Sequence, residues 1–182
     1  SGLDEMDYWL GDDNLFPSPL REWSSEKIFR LNRPFLAWKP VTPLPEAEAS
    51  VSDAPSGPIR FGSFNHNRKM SDQTIALWGK ILQAVPEAIL VLKANASEDL
   101  HTQRILRKRM LDHGLDPDRV EWLPLTQGPE EHLQQYSKLD VALDPCPNGG
   151  CTTTCECLWM GVPVITLKGS HYVSRMSTAV LA

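Results

Sequence analysis

The chain of 182 residues is 41% hydrophobic and 23% charged, the balance of an ordinary globular protein long enough to bury a real core. Its formal charge of −5 argues against general nucleic-acid binding, which needs a basic face. No apolar run approaches the ~18 residues that cross a membrane, and the start lacks a basic-then-apolar secretory pattern.

Residues 1–57 differ in composition from the rest of the chain and read as a connecting segment and linker. Asp4 to Leu10 reads as a short strand, broken by Pro17-Ser18-Pro19. Trp23 to Leu31 reads as a short helix with Ser24 or Ser25 as cap, and Phe35 to Trp38 as an edge strand ended by Pro40. From Pro40 to Pro58 the chain is rich in Pro, Ser, Ala and Glu, the composition of a linker or a surface-draped loop. Trp23 and Trp38 are expected to pack on the domain beyond the linker.

Across 58–182 the pattern becomes regular. Ile59 to Asn65 is a strand, and Ser71 caps a helix to Val85 with Ile75, Leu77, Trp78, Ile81 and Leu82 on one face. Ala88 to Lys93 is a second strand. Ser97 starts a helix to about His113, its basic residues forming a solvated face, and Gly114 closes it. Arg119 to Leu123 is a third strand and Gly128 to Leu139 a third helix. Asp140 to Asp144 is a fourth strand, after which prolines and Gly149-Gly150 force a loop. A helix begins at the Thr152-Thr153-Thr154 run and ends at Gly161, Val162 to Leu167 is a fifth strand, and Ser170 opens a further helix.

Alternating strands and helices of this kind predict an α/β fold: a doubly wound, parallel, five-stranded Rossmann-like sheet in the order 3-2-1-4-5. Ligands of such sheets bind beyond the strand C-termini, between strands one and four. The loop after strand one is polar and cationic (Asn65-His66-Asn67-Arg68-Lys69), and the loop after strand four is a glycine-rich helix start. Together they read as a diphosphate site. No G-x-G-x-x-G follows strand one and no G-x-x-x-x-G-K-[ST] occurs, which argues against a dinucleotide oxidoreductase or a P-loop enzyme. A phosphate site on the fourth strand's loop is expected of the donor half of a two-Rossmann glycosyltransferase.

The run Asp144-Pro-x-Pro, Gly149-Gly150-x-Thr152-Thr153-Thr154-x-Glu156-x-Leu158-Trp159-Met160-Gly161-Val162-Pro163-Val164 resembles the C-terminal domain of the O-linked N-acetylglucosamine transferase family, including its plant SPINDLY-type relatives. Phe61 to Asn65 with Lys69, Glu130-Glu131-His132 and Ser174-Arg175-Met176 resemble further motifs of that family, in the right order. The likeness is strong over 58–182 and weaker over 6–40. It implies the C-terminal half of a GT-B fold and an inverting, metal-independent transfer of sugar to Ser/Thr of proteins. The donor would be UDP-GlcNAc or GDP-fucose, as substrate, with no cofactor. Family members carry tetratricopeptide repeats and an acceptor-side Rossmann domain upstream, and the chain stops short of the family's closing helices. The resemblance therefore implies a fragment, truncated at its C-terminus, that meets its acceptor protein through upstream domains and binds donor without turnover.

The same resemblance assigns roles. Lys69 offsets charge on the leaving diphosphate, the one catalytic assignment. Thr152 and Thr153 bind that diphosphate, and His66 lies near it. His132 packs against the nucleobase. Cys151 departs from the His or Thr of the family, which weakens a side-chain phosphate contact there. Glu156 matches a ribose-binding carboxylate, yet Thr153-x-x-Glu156 is also a capping box, and spacing does not separate the two. No general base is assigned. The cysteine spacing C-x4-C-x3-C-x-C fits no metal pattern, so the thiols read as packing groups in a reducing cytoplasm. Two rival functions remain at this level: a non-catalytic interaction module of the same fold, and another GT-B enzyme such as a nucleotide-sugar epimerase.

Overall fold

A computed structural model of the chain describes residues 2–19, 23–41, 57–94 and 98–182. The chain opens with strands β1 (Tyr8–Gly11) and β2 (Lys27–Arg30), paired in parallel. Asp12, buried behind β1, ties the connection together: one carboxylate oxygen accepts from the amides of Asn14 and Leu15, the other from that of Phe35 at 2.9 Å. Two sequence expectations fail here. The segment expected to be a helix from Trp23 contains β2 instead, because Trp9↔Ile28 pairing delivers Ile28 to a cluster around Leu15 and Phe16. That tertiary gain overrides a weak serine cap. Residues 35–38 form no strand, the Phe35 amide being engaged by Asp12.

The expected linker falls largely on residues 42–56, outside the described residues; after them come β3 (Arg60–Ser63), α1 (Asp72–Ala84), β4 (Ile89–Leu92), α2 (Leu100–Asp112), β5 (Val120–Trp122), α3 (Pro129–Gln134), β6 (Val141–Leu143), α4 (Thr152–Trp159), β7 (Val164–Ile165) and α5 (Met176–Leu181). The five later strands form one sheet, order β5-β4-β3-β6-β7, every pair parallel. This is the doubly wound order expected from the sequence, with β3 and β6 adjacent at the centre.

Strand periodicity decides which helices cover which face. Leu90 and Leu92 point to Ile75, Trp78 and Leu82 of α1 and Leu106 and Met110 of α2. Val91 and Ala142 point the other way, to Leu133, Tyr136, Leu139 and Cys157. Burial of such side chains stabilises by ~1.5–3 kcal/mol each. Ser71 caps α1 as expected, its hydroxyl accepting from the Thr74 amide. Arg119 closes the other end of that helix by donating to the carbonyls of Leu82 and Val85. The cap expected at Ser97 lies outside the described residues; Asp99 caps α2. The third helix is shorter than expected, ending at Gln134 and continuing as a 3-10 turn to Lys138.

The first segment is fastened to the domain's end. Leu15 and Phe16 are buried against Ala179, with Trp9, Tyr172 and Met176 around them. Arg175 donates from Nε to the Leu15 carbonyl at 2.7 Å. Of the two tryptophans expected to pack, Trp38 meets Trp159 edge-on at 5.9 Å, whereas Trp23 is 80% exposed and does not pack.

Candidate functional site

The C-terminal ends of β3, β4 and β6 open on one side of the sheet, and two side-chain clusters meet there. The first surrounds Lys69, which closes the 3-10 turn Asn67–Lys69 after β3. Its Nζ donates to the Gly149 carbonyl at 2.8 Å and to Asn65 Oδ1 at 3.2 Å. Asn65 Oδ1 also accepts from Thr153 Oγ1 at 3.2 Å, so one buried amide links the β3 loop to the start of α4. The opposite edge of the same Gly149–Gly150 peptide is held too: the Gly150 N–H donates to Asp144 Oδ1 at 3.1 Å.

The loop needs both glycines. A Cβ on Gly150 would lie 2.4 Å from Thr154 Oγ1 and 2.6 Å from Thr153 Oγ1, and one on Gly149 2.8 Å from Ser177 Oγ. Helix α4 starts at Thr152 with no side-chain cap, and its first-turn N–H groups have no intrahelical carbonyl to pair with. Burial lowers the pKa of Lys69, while the charges of Asp144 and Cys151 oppose that shift. A cation over a glycine loop and an uncapped helix start suits an anion of diphosphate size.

The second cluster links β4, α3 and α4. His132 Nε2 lies 3.3 Å from Glu156 Oε2, and the Tyr136 hydroxyl donates to the same oxygen at 2.8 Å. On the other side of the imidazole, Lys93 Nζ lies 2.7 Å from Nδ1. A lysine only donates, so Nδ1 accepts and Nε2 carries the proton toward Glu156. Burial pushes the Tyr136 phenol up, aided by the Glu156 charge, and it stays a donor. Thr153 lies inside α4, whose N-cap position is Cys151, so Thr153 and Glu156 form no capping box, the alternative their spacing left open. Beside this network lies a cavity of about 440 Å³ lined by Phe64, His66, Lys93, Thr126, Gly128 and His132 among others.

Among the residues singled out in the sequence, Lys69 and Thr153 meet through Asn65, and His132 and Glu156 touch directly. His66 lines the cavity and turns its Nδ1 to the Arg68 amide at 3.1 Å. Thr152 is exposed at the first position of α4, and Cys151 precedes it, half-buried and without a capping bond. All four cysteines are free, and burial pushes the Cys157 thiol up to about 12, which keeps it an inert packing group. Lys93 and Tyr136 were not singled out in the sequence, and Asp144 stood in the Asp-Pro-x-Pro motif without a role. For Lys93, a lysine ending the otherwise apolar run AILVLK at a strand C-terminus was the available signal.

A parallel doubly wound sheet with this crevice is the Rossmann-like half of a GT-B glycosyltransferase. The chain matches the model of glycosyl transferase family 41 over residues 47–182, and it belongs to that family. It is 38% identical over its whole length to the probable UDP-N-acetylglucosamine–peptide N-acetylglucosaminyltransferase SPINDLY of Petunia hybrida, and covers 19% of that protein. It is 34% identical to the Caenorhabditis elegans UDP-N-acetylglucosamine–peptide N-acetylglucosaminyltransferase over 70% of the chain and 11% of the relative. A Thermobaculum terrenum O-GlcNAc transferase of solved structure superposes with a TM-score of 0.84 at 36% identity, covering 98% of this chain and 33% of that one. The chain thus spans about a fifth of the length of its SPINDLY relatives.

Proposed function

We propose that this domain is the donor-binding half of an inverting, metal-independent protein O-glycosyltransferase and holds a nucleotide sugar, UDP-GlcNAc or GDP-fucose, as substrate. The diphosphate lies between Lys69, the Gly149–Gly150 loop and the first turn of α4 at Thr152 and Thr153, with Cys151 and His66 at its margin. Glu156 accepts from the ribose hydroxyls, and His132 packs beside the base. The observation that carries this reading is Lys69 spanning the two central loops to the Gly149 carbonyl. In transfer, a Ser or Thr hydroxyl of the acceptor protein forms the new bond to the anomeric carbon as the bond to the diphosphate breaks. Lys69 offsets the charge that collects on the departing diphosphate. The names of the relatives support this reaction. Acceptor recognition belongs to parts of a longer protein, and the chain alone binds without turnover. Its free cysteines suit a cytoplasmic location, and no described helix is long and apolar enough to cross a membrane.

Calorimetric titration with UDP and GDP, repeated on Lys69→Ala, tests the reading. One nucleotide is expected to bind, and the substitution to weaken it by roughly 10–100-fold, the loss of a charge-assisted bond. If neither nucleotide binds, either the site needs further parts of a longer protein or the domain is a non-catalytic module of the same fold, and titration of the longer protein decides between them.

A further inference from the structure

Lys93 has no role in the proposed donor site, yet it is the most deeply buried cation at the crevice, 4% exposed at the end of β4. An ammonium has three N–H donors. One reaches Thr126 Oγ1 at 2.9 Å and another His132 Nδ1 at 2.7 Å. Among the described residues no acceptor takes the third; Phe64 offers only its ring, 5.8 Å from Nζ. Burial lowers the pKa of this lysine, and the carboxylates of Glu131 and Glu156 oppose that shift. The unspent donor belongs to a side chain that lines the 440 Å³ cavity. A buried donor without a partner is costly, so a ligand that brings an acceptor to this point is favoured over one that does not.

We propose that Lys93 reads the nucleobase: its free N–H donates to an exocyclic carbonyl oxygen on the base edge, so the site selects an oxo base over its amino counterpart. This rests on the crevice being a nucleotide-sugar site. An exocyclic amine at the same point turns its own N–H toward the ammonium, donor against donor, and leaves both groups unpaired. Thr126 and His132 hold Nζ from two sides, so the lysine does not swing away to avoid the mismatch. The network from Lys93 through His132 to Glu156 then couples the base to the ribose carboxylate, one rigid set of bonds serving the whole nucleoside.

Matched nucleotides test this contact. UDP and CDP differ in the C4 substituent, oxo or amino, and IDP and ADP in the same way at C6, the adjoining ring nitrogen changing from donor to acceptor in each pair. Calorimetric titration of the chain is expected to show the oxo member of at least one pair bound ten-fold or more tightly. Lys93→Met is expected to bring that ratio close to one. Lys93→Gln, whose amide both donates and accepts, is expected to lose the ratio as well, and it serves if the methionine variant does not fold. Equal binding of oxo and amino partners by the wild type overturns base reading and leaves the donor site standing. So does a ratio that survives both substitutions. Failure of all four nucleotides to bind the wild type overturns base reading, and the separate UDP and GDP titrations decide the donor site.

Discussion

One peptide unit between Gly149 and Gly150 carries much of the phosphate end. Its carbonyl takes the Lys69 ammonium and its N–H is spent on Asp144, so the carboxylate sets which edge faces the lysine. Asp144 also opposes the fall in Lys69 pKa caused by burial. Asp144→Asn separates the two effects, since asparagine keeps an oxygen for the Gly150 N–H and removes only the charge. Only the protonated lysine attracts a diphosphate, so binding is lost as pH rises through its lowered pKa. Without the Asp144 charge that pKa drops further, and the alkaline loss of UDP or GDP affinity moves to lower pH. Titrations between about pH 7 and 10, below the ordinary lysine range, read the shift directly. Superimposed profiles would mean that Asp144 only orients the peptide.

Elements were legible where their pattern was local. Strands β4, β6 and β7 are short apolar runs, and Ser71, Gly114 and Gly161 mark helix ends; both of those glycines have positive φ. The helix expected at 23–31 failed because β2 is made by pairing with β1, a contact that no local propensity announces. The site divides along the same line. Lys69, Thr153 and the glycines stand on the two loops that sheet topology brings together, so their grouping followed from strand order. Lys93 and Tyr136 pair with side chains 39 and 20 positions away on other elements, which spacing does not reveal. Packing between elements makes its own prediction. A Cβ on Gly79 in α1 would lie 2.7 Å from the Gly114 carbonyl oxygen and 3.1 Å from the Leu115 nitrogen, backbone that yields little. Helix propensity favours alanine there by ~1 kcal/mol, against ~1–3 kcal/mol for overpacking. Gly79→Ala is therefore expected to lower stability by up to about 2 kcal/mol, read as a lower urea midpoint, with nucleotide affinity unchanged because α1 packs there against the α2–β5 connection.

At the scale of the whole molecule, the first segment and the crevice are joined through α5. Phe16, 1% exposed, meets Trp9 edge-on at 5.1 Å and lies tilted 5.5 Å from Tyr172, just before α5. From that helix, Ser177 Oγ donates to the Gly150 carbonyl at 3.0 Å and lies 3.1 Å from Thr154 Oγ1. Anything that loosens α5 thus frees the glycine loop, and with it the acceptor that holds Lys69. Phe16→Ala is expected to cost up to ~3–5 kcal/mol locally, the usual loss for a buried phenylalanine. If the segment and α5 open as one unit, amide exchange should speed up in residues 8–11 and 172–181 while β4 and β6 keep their protection. UDP or GDP affinity should fall several-fold although Phe16 touches none of the site residues. Uniform acceleration across the sheet would show instead that the chain opens only as a whole. The segment would then be an inseparable part of the domain, and the weaker binding would follow from global stability alone.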